Sequence, residues 1–287
     1  MVVCLFDKLL KQYGDKIVTN VTAFDTSQYY YFRNEFDQLF GIKKSIHTNE
    51  YELIKMLYVE KTFYFNDATN QAMYEHIYEK ADFPLRYLDY KFIIINERGT
   101  KTLEKTVYDE IYNILKDLLG ELVVLDIKGS KAIFYFNNYD IDIEHLFMTI
   151  SSDFFLDLSV HEGIVMSPTD HLFTYYFDAY QTTMRSQTNN FTDVADVILK
   201  VNGLGDHNTM QFFKKLILKN IIEDSVIQQI VNTYFECNLN TSQAAKELYM
   251  HRNTLINKLD QIKKTTNLDL QNFKQASTLY LLLNYQE

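Results

Sequence analysis

Apolar positions over residues 84–186 switch between two periods. Tyr87–Glu97, with a continuous apolar centre at Phe92–Ile95, predicts a buried strand. Leu103, Val107, Ile111, Ile114, Leu115 and Leu118 then recur at helical spacing, and Gly120 predicts the helix stop. Leu122–Ile127 and Lys131–Phe136 flank Lys128, Gly129 and Ser130, a hairpin signal. Tyr139–Phe155 reads as a helix with Ile143, Leu146, Phe147 and Ile150 on one face, and Leu158–Met166 reads as a strand. Ser167–Asp170, with Pro168 near the first turn, opens a helix to about Met184. The order is β-α-β-β-α-β-α, and its first six elements match a ferredoxin-like split βαβ sheet.

The flanks are less regular. Lys16–Val21 and Thr62–Asn66 predict short strands, and Glu50–Glu60 and Thr69–Ala81 predict helices, the second capped by Asp67 or Thr69. The aromatic run Tyr29–Phe32 fits strand or helix. Residues 186–208 are polar and Gly-bearing, as expected of a linker around one short helix, and Thr209–Ile222 predicts a helix leading into the tail. The expected division is an α/β region of unassigned role over 1–83, a ferredoxin-like domain over 84–186, a linker with a connecting helix over 187–223, and an all-α domain over 224–287. The fold class is α+β.

The tail is the most informative stretch. Asp224 or Ser225 can cap a helix whose apolar face is Val226, Ile227, Ile230, Val231, Tyr234 and Phe235. Asn238–Asn240 breaks it. Thr241 is positioned to cap a short helix over Ser242–Leu248, and Ala244 and Ala245 leave room for a close helix crossing, as a helix-turn-helix requires. Tyr249 and Met250 form the turn. A third helix starts near His251 and runs to about Lys264, with Leu255, Leu259 and Ile262 at i, i+4 and i+7 facing inward. That leaves His251, Arg252, Asn253 and Asn257 as candidates for base edges, where Arg suits guanine and Asn suits adenine. Thr241, Gln243, Lys246, Thr254, Lys258 and Lys263 are candidates for phosphate contacts that fix register. On periodicity alone the same pattern also fits a three-helix packing unit with a solvated polar face.

Composition sets bounds on these readings. The chain has 287 residues, 47% hydrophobic and 23% charged, with 22 Tyr, 21 Phe, 8 Gly and 2 Pro, which is the profile of about two folded domains. Cys4 and Cys237 form no CxxC pattern, which fits a reduced, cytoplasmic setting. No apolar run is long enough for a membrane span, and the first residues lack a basic leader ahead of an apolar stretch. Net charge is −10, against nucleic-acid binding at first sight. Its distribution matters more. From Asp224 onward six basic residues balance six acidic ones, and within 246–264 five basic residues (Lys246, Arg252, Lys258, Lys263, Lys264) stand against Glu247 and Asp260. A local basic patch can hold phosphates, while the acidic remainder repels DNA and orients the tail.

Other chemistry is thin. His161, Glu162 and His171 form no HExxH, and a lone strand histidine is ordinarily structural. Asp140, Asp142 and Glu144 have neither EF-hand length nor its glycine and read as a solvated helix start. No GxSxG or P-loop occurs. Cys237 reads as half-buried packing rather than a redox sensor. Tyr29–Phe32, Tyr58 and Tyr64 fit a core better than a ligand pocket. No cofactor, no metal and no enzyme activity are expected.

Residues 224–285 resemble the C-terminal DNA-binding domain of the PucR/CdaR family of bacterial transcription regulators. Tyr234, Phe235, Asn238–Asn240, Ala244, Ala245, Leu248 and above all His251–Leu255 carry the likeness, followed by Leu259, Ile262, Leu268–Leu270 and Ala276–Leu283. The chain departs at Asn257 and Lys258, where the family favours an aromatic residue followed by Arg. The broader Fis-type helix-turn-helix is similar too, but its usual ATPase companion is missing. Leu158–Val165 and Phe173–Met184 with Tyr180 are similar to the end of a degenerate GGDEF-like domain, which has ferredoxin-like topology. The hairpin Asp126–Lys131 lacks the paired acidic residues that hold Mg²⁺ in active cyclases of that fold. The resemblance implies a regulator acting as a homodimer on double-stranded DNA, with the upstream regions supplying dimerisation and, where an effector is used, the binding of that small molecule. The alternative is a ligand-binding or protein-interaction protein with a vestigial helix-turn-helix.

Overall fold

The computed structural model describes residues 5–19, 28–34, 39–61, 68–98, 105–184, 189–222 and 224–285. Packing divides the chain into two units, residues 1–85 with 123–131 and residues 86–122 with 132–287. Thr62–Asn66, Asp67, Gly99, Thr100 and Leu103, which figure in the sequence reading, lie outside the described residues.

Up to residue 85 the first unit contains α1 (Leu5–Tyr13), β1 (Ile17–Val18), β2 (Tyr29–Arg33), β3 (Leu39–Lys43), α2 (Thr48–Leu57), β4 (Val59–Lys61) and α3 (Ala68–Glu79). Its strands form an antiparallel sheet in the order β1-β3-β2-β4. The ambiguous aromatic run is therefore a strand. Phe32 is fully buried with Phe40, Phe6, Ile54 and Tyr58. Ring centroids lie 4.7 Å apart for Phe6 and Phe40 and 5.3 Å apart for Phe40 and Tyr58, so these aromatics are core.

The remaining elements are β5 (Lys91–Glu97), α4 (Lys105–Leu119), β6 (Leu122–Ile127), β7 (Ser130–Tyr135), α5 (Ile143–Asp153), β8 (Leu158–Glu162), α6 (Phe173–Met184), β9 (Phe191–Thr192), α7 (Val194–Leu204), α8 (His207–Ile222), α9 (Ser225–Glu236), α10 (Thr241–Glu247), α11 (Arg252–Thr266) and α12 (Phe273–Asn284). The second sheet has the order β6-β7-β5-β8-β9. Strand β5 runs antiparallel to β8 with Ile94 opposite His161, and β9 runs parallel to β8. The Lys91–Ile95 stretch of β5 is buried on both faces, which is why its sequence is continuously apolar rather than alternating. The β6–β7 turn places Lys128 and Gly129 at φ 46° and 89°, the positive values that a two-residue hairpin needs.

One face of this sheet is covered by α6. Phe173 and Tyr176 stand edge-on to Phe92 of β5 at 5.0 and 5.1 Å. Strand β8 ends at Glu162 and does not run on to Met166. Gly163 lies so close to Phe92 that a Cβ there would sit 2.2 Å from the ring; its N donates to Phe92 O at 2.9 Å, and the bridge between Tyr90 and Met166 takes up the pairing beyond. Residues 194–204 are more than the connector their polar flanks suggest. In α7, Val194, Ala195, Val197, Ile198 and Val201 are buried, and the helix packs on α6, α8 and α12. Helix α8 packs in turn on α9, α11 and α12, so it carries the C-terminal helices. Among the described residues no helix is long and apolar enough to cross a membrane.

Candidate nucleic-acid interface

The tail forms four helices whose ends are set by short-range caps. Asp224 Oδ1 accepts from Val226 N at 2.8 Å and Ile227 N at 3.1 Å, opening α9. Asn238 and Leu239 adopt φ 53° and 62°, which ends the helix after its C-cap Cys237. Asn240, not Thr241, caps α10: its Oδ1 accepts from Ser242 N and Gln243 N, each at 3.1 Å. The cap sits one residue earlier because the longer Asn side chain, placed just outside the helix, reaches both amides. Ala244 and Ala245 are buried against α11, the close crossing that small residues permit.

The turn between α10 and α11 ends the first helix with two bonds. Tyr249 N donates to Lys246 O at 3.1 Å and Met250 N to Ala245 O at 2.9 Å. This is the Schellman pattern, and Tyr249 occupies its left-handed position at φ 52°, where glycine is the usual residue. Its side chain is 98% exposed. His251 then caps α11, its Nδ1 accepting from Asn253 N at 3.2 Å.

Leu255, Leu259 and Ile262 are buried, as their spacing predicts. The exposed surface of α11 divides in two: Asn253 and Asn257 lie opposite the buried row and Thr254 to its side, while His251 and Arg252 are exposed because they stand at the helix's N-terminal end. Asn253 and Asn257 lie one turn apart on a stripe whose next member is Asp260, also exposed. A carboxylate there would meet phosphates badly, which confines the surface suited to base edges to the first two turns. His251, by capping the helix, commits Nδ1 and leaves Nε2 for an outside partner.

The candidate phosphate-binding residues divide. Gln243 and Lys246 on α10 are exposed and Thr241 is half-buried. Lys258 is half-buried and its Nζ donates to Gln261 Oε1 at 3.3 Å. Lys263 pairs with Asp269 at 3.0 Å, and Lys264 with Asp140 at 3.2 Å. These exposed pairs are weak, so a phosphate can displace the carboxylate, but they lower the effective charge of the patch. Cys237 is buried, and burial together with Glu247 and Glu236 pushes its thiol up, away from thiolate chemistry.

Sequence reasoning missed Asn240, whose signal (Asn two and three residues ahead of the amides it caps) was present. The turn at Tyr249 and Met250 lies where the sequence places it, but the left-handed backbone of Tyr249 has no signature in the residue itself.

Residues 228–284 match the family described as the PucR C-terminal helix-turn-helix domain. The tail is a PucR-type helix-turn-helix domain. Over 70 residues the chain is 33% identical to the carbohydrate diacid regulator of Escherichia coli (strain K12), and the matched stretch covers 24% of this chain and 18% of that protein. The chain is also similar to a solved structure, the regulator of polyketide synthase expression from Bifidobacterium adolescentis. The identity there is 15%, the coverage is 68% of this chain and 79% of that one, and the TM-score is 0.33, a likeness that supports no fold assignment. The PucR-type domain thus accounts for α9–α12, and the sheets upstream lie outside the matched residues.

Proposed function

We propose that the chain is a sequence-specific DNA-binding transcription regulator of the PucR/CdaR kind, reading the major groove with the N-terminal half of α11. The observation that carries this reading is the exposed set Arg252, Asn253 and Asn257 at the head of a helix anchored by buried Leu255, Leu259 and Ile262, inside a PucR-type domain. His251, Arg252, Asn253 and Asn257 take the base edges; Thr241, Gln243, Lys246, Thr254, Lys258 and Lys263 take phosphates. The protein acts as a cytoplasmic homodimer, since two recognition helices must reach successive major grooves about 34 Å apart.

Residues 84–186 act as a degenerate, GGDEF-like domain of ferredoxin-like topology. The succession β5-α4-β6-β7-α5-β8 and the strand order β6-β7-β5-β8 support that assignment. Its role is regulatory rather than catalytic: the hairpin Asp126–Lys131 has one carboxylate, and Asp126 is paired with Lys131 at 3.1 Å. Residues 1–83 and the sheet domain supply dimerisation and the sensing of a small-molecule effector, which acts by binding one arrangement of the dimer better than another.

The test is binding of the full chain to genomic fragments, with the retained sequences mapped. Arg252→Ala and Asn253→Ala should each lower specific affinity by about 1–3 kcal/mol with the fold intact, and wild-type affinity should fall steeply with salt. If both variants bind the mapped operator like wild type, the recognition-helix assignment is wrong. If wild type retains no fragment, the helix-turn-helix is vestigial and the chain is a ligand-binding or protein-interaction protein, a reading its net charge of −10 favours.

A further inference from the structure

We infer that Asp193 and Asp196, at the head of α7, form the joint that fixes the PucR-type domain to the sheet beneath it, and that Lys274 and Gln275 of α12 complete that joint, making these four residues positioning residues for the DNA reader. The inference rests on the DNA-reading role proposed above for its functional consequence, but the joint itself is read from geometry.

Asp193 caps α7 reciprocally with Asp196. Asp193 Oδ1 accepts from Asp196 N at 3.2 Å, and Asp196 Oδ2 accepts from Asp193 N at 2.9 Å. A capping box usually sets a neutral Ser or Thr against one acidic residue. Here both members are carboxylates, and Asp193 is buried. Two like charges at one buried helix end repel, and the helix dipole offsets only part of that. The missing counter-charge comes from the reader, 78 residues along the chain. Lys274 Nζ lies 2.7 Å from Asp196 Oδ2 and 3.1 Å from Asp193 Oδ2. Burial raises the Asp193 carboxyl, but Lys274 and the bond from Gln275 outweigh it and hold it below the usual range.

Gln275 spans the joint. Its Nε2 donates to Asp193 Oδ2 at 2.7 Å, while its Oε1 accepts from Asp269 N at 2.6 Å. Asp269 in turn pairs with Lys263 of α11. On the other side, Thr192 precedes Asp193 and its Oγ1 bonds His161 Nδ1 of β8 at 2.9 Å; His161 Nε2 bonds Tyr176 Oη of α6 at 2.9 Å. Hydrogen bonds and one peptide link therefore run from α6 and the middle of the sheet, through the α7 cap, to the α11–α12 loop, which the weak Lys263–Asp269 pair joins to the recognition helix only until a phosphate takes Lys263. A second tie lies alongside: Asn267 Oδ1, at the end of α11, accepts from Val165 N at 3.3 Å. The direction of α11 is thereby set by the sheet domain. In a dimer that fixes the spacing and rotation of the two reading heads.

The test uses the full chain and three duplexes derived from a mapped, footprinted fragment: both half-sites at native spacing, the same with five base pairs inserted, and one half-site alone. Lys274→Met should bind the single half-site like wild type, lose about tenfold on the native duplex, and discriminate the two spacings less. Lys274→Arg should restore discrimination. Equal behaviour of Lys274→Met and wild type on all three duplexes overturns the inference. If Lys274→Met also loses the single half-site, adding Asp196→Asn relieves the carboxylate repulsion. The double variant should then recover the half-site and not the discrimination; recovery of both, or of neither, overturns the inference. If wild type binds no DNA, the proposed function fails, and the joint is still decided by hydrogen exchange. Faster exchange at Asp269 and Gln275 amides in Lys274→Met supports it, and unchanged exchange overturns it.

Discussion

The recognition helix and the centre of the second sheet both carry polar side chains on an apolar frame, and they use them in opposite ways. On α11 the frame is Leu255, Leu259 and Ile262, and Arg252, Asn253 and Asn257 are left facing solvent. On β8, His161 is fully buried, and both ring nitrogens are engaged by Thr192 and Tyr176. The first arrangement leaves hydrogen-bonding capacity for an outside partner. The second consumes it internally, which fixes the strands and helix around it and leaves nothing for a ligand. A buried, satisfied histidine is a structural element, and an exposed polar helix head is a surface available for recognition.

The sharpest way to separate the two regions is acidification. Burial holds His161 down to about 3, with Asp193 raising it and Lys274 lowering it. In the unfolded chain its imidazole titrates near ~6.5, so between those values the unfolded state binds more protons. The stabilising contribution is complete above ~6.5 and is lost as the pH falls towards 3. Taking the chain from pH 7.5 to 4.5 should therefore cost the second unit about 3 kcal/mol from this residue alone. Urea unfolding followed by circular dichroism at both pH values measures it. His161→Gln, which does not titrate, should flatten the dependence, and an unchanged slope would sink the assignment.

The capping of α10 gives a smaller effect on the exposed side of the comparison. Asn240→Ala should destabilise the PucR-type domain by about 1 kcal/mol, whereas Thr241→Ala should be nearly neutral. Amide exchange at Ser242 and Gln243 distinguishes them, and the reverse ranking would return the cap to Thr241. The smallest effect has the opposite sign. Tyr249→Gly relieves a left-handed, solvent-exposed residue and should stabilise the domain by under ~1 kcal/mol, read from thermal unfolding. A loss of stability would mean that the ring packs on something the exposed position does not reveal.

These contrasts explain what could be read early. Leu255, Leu259 and Ile262 recur at helical spacing within one element, so a local window contains the whole signal. The same holds for Ala244 and Ala245, for the Lys128–Gly129 hairpin and for the continuous apolar β5. Reading stops where partners are distant. His161 has its two partners 15 and 31 residues away, on a helix and a two-residue strand. Helix α7 looked like part of a linker because its flanks are polar, yet burial by α6, α8 and α12 makes it core. The need for glycine at 163 comes from the Phe92 ring of the neighbouring strand, a contact that no alternation pattern encodes.

The sequence by itself determined the local order of the tail: three apolar positions at helical spacing, a turn, a polar helix head and a patch of lysines. Those follow from covalent spacing and the 3.6-residue period alone. Only the tertiary structure decided which charges remain for a partner and which are already used. Lys263 and Lys264 turned out to be paired, and Lys274 to lie between two carboxylates at the head of α7. An ion pair between residues 78 positions apart depends on where two helices come to rest, and that is set by the packing of the whole unit.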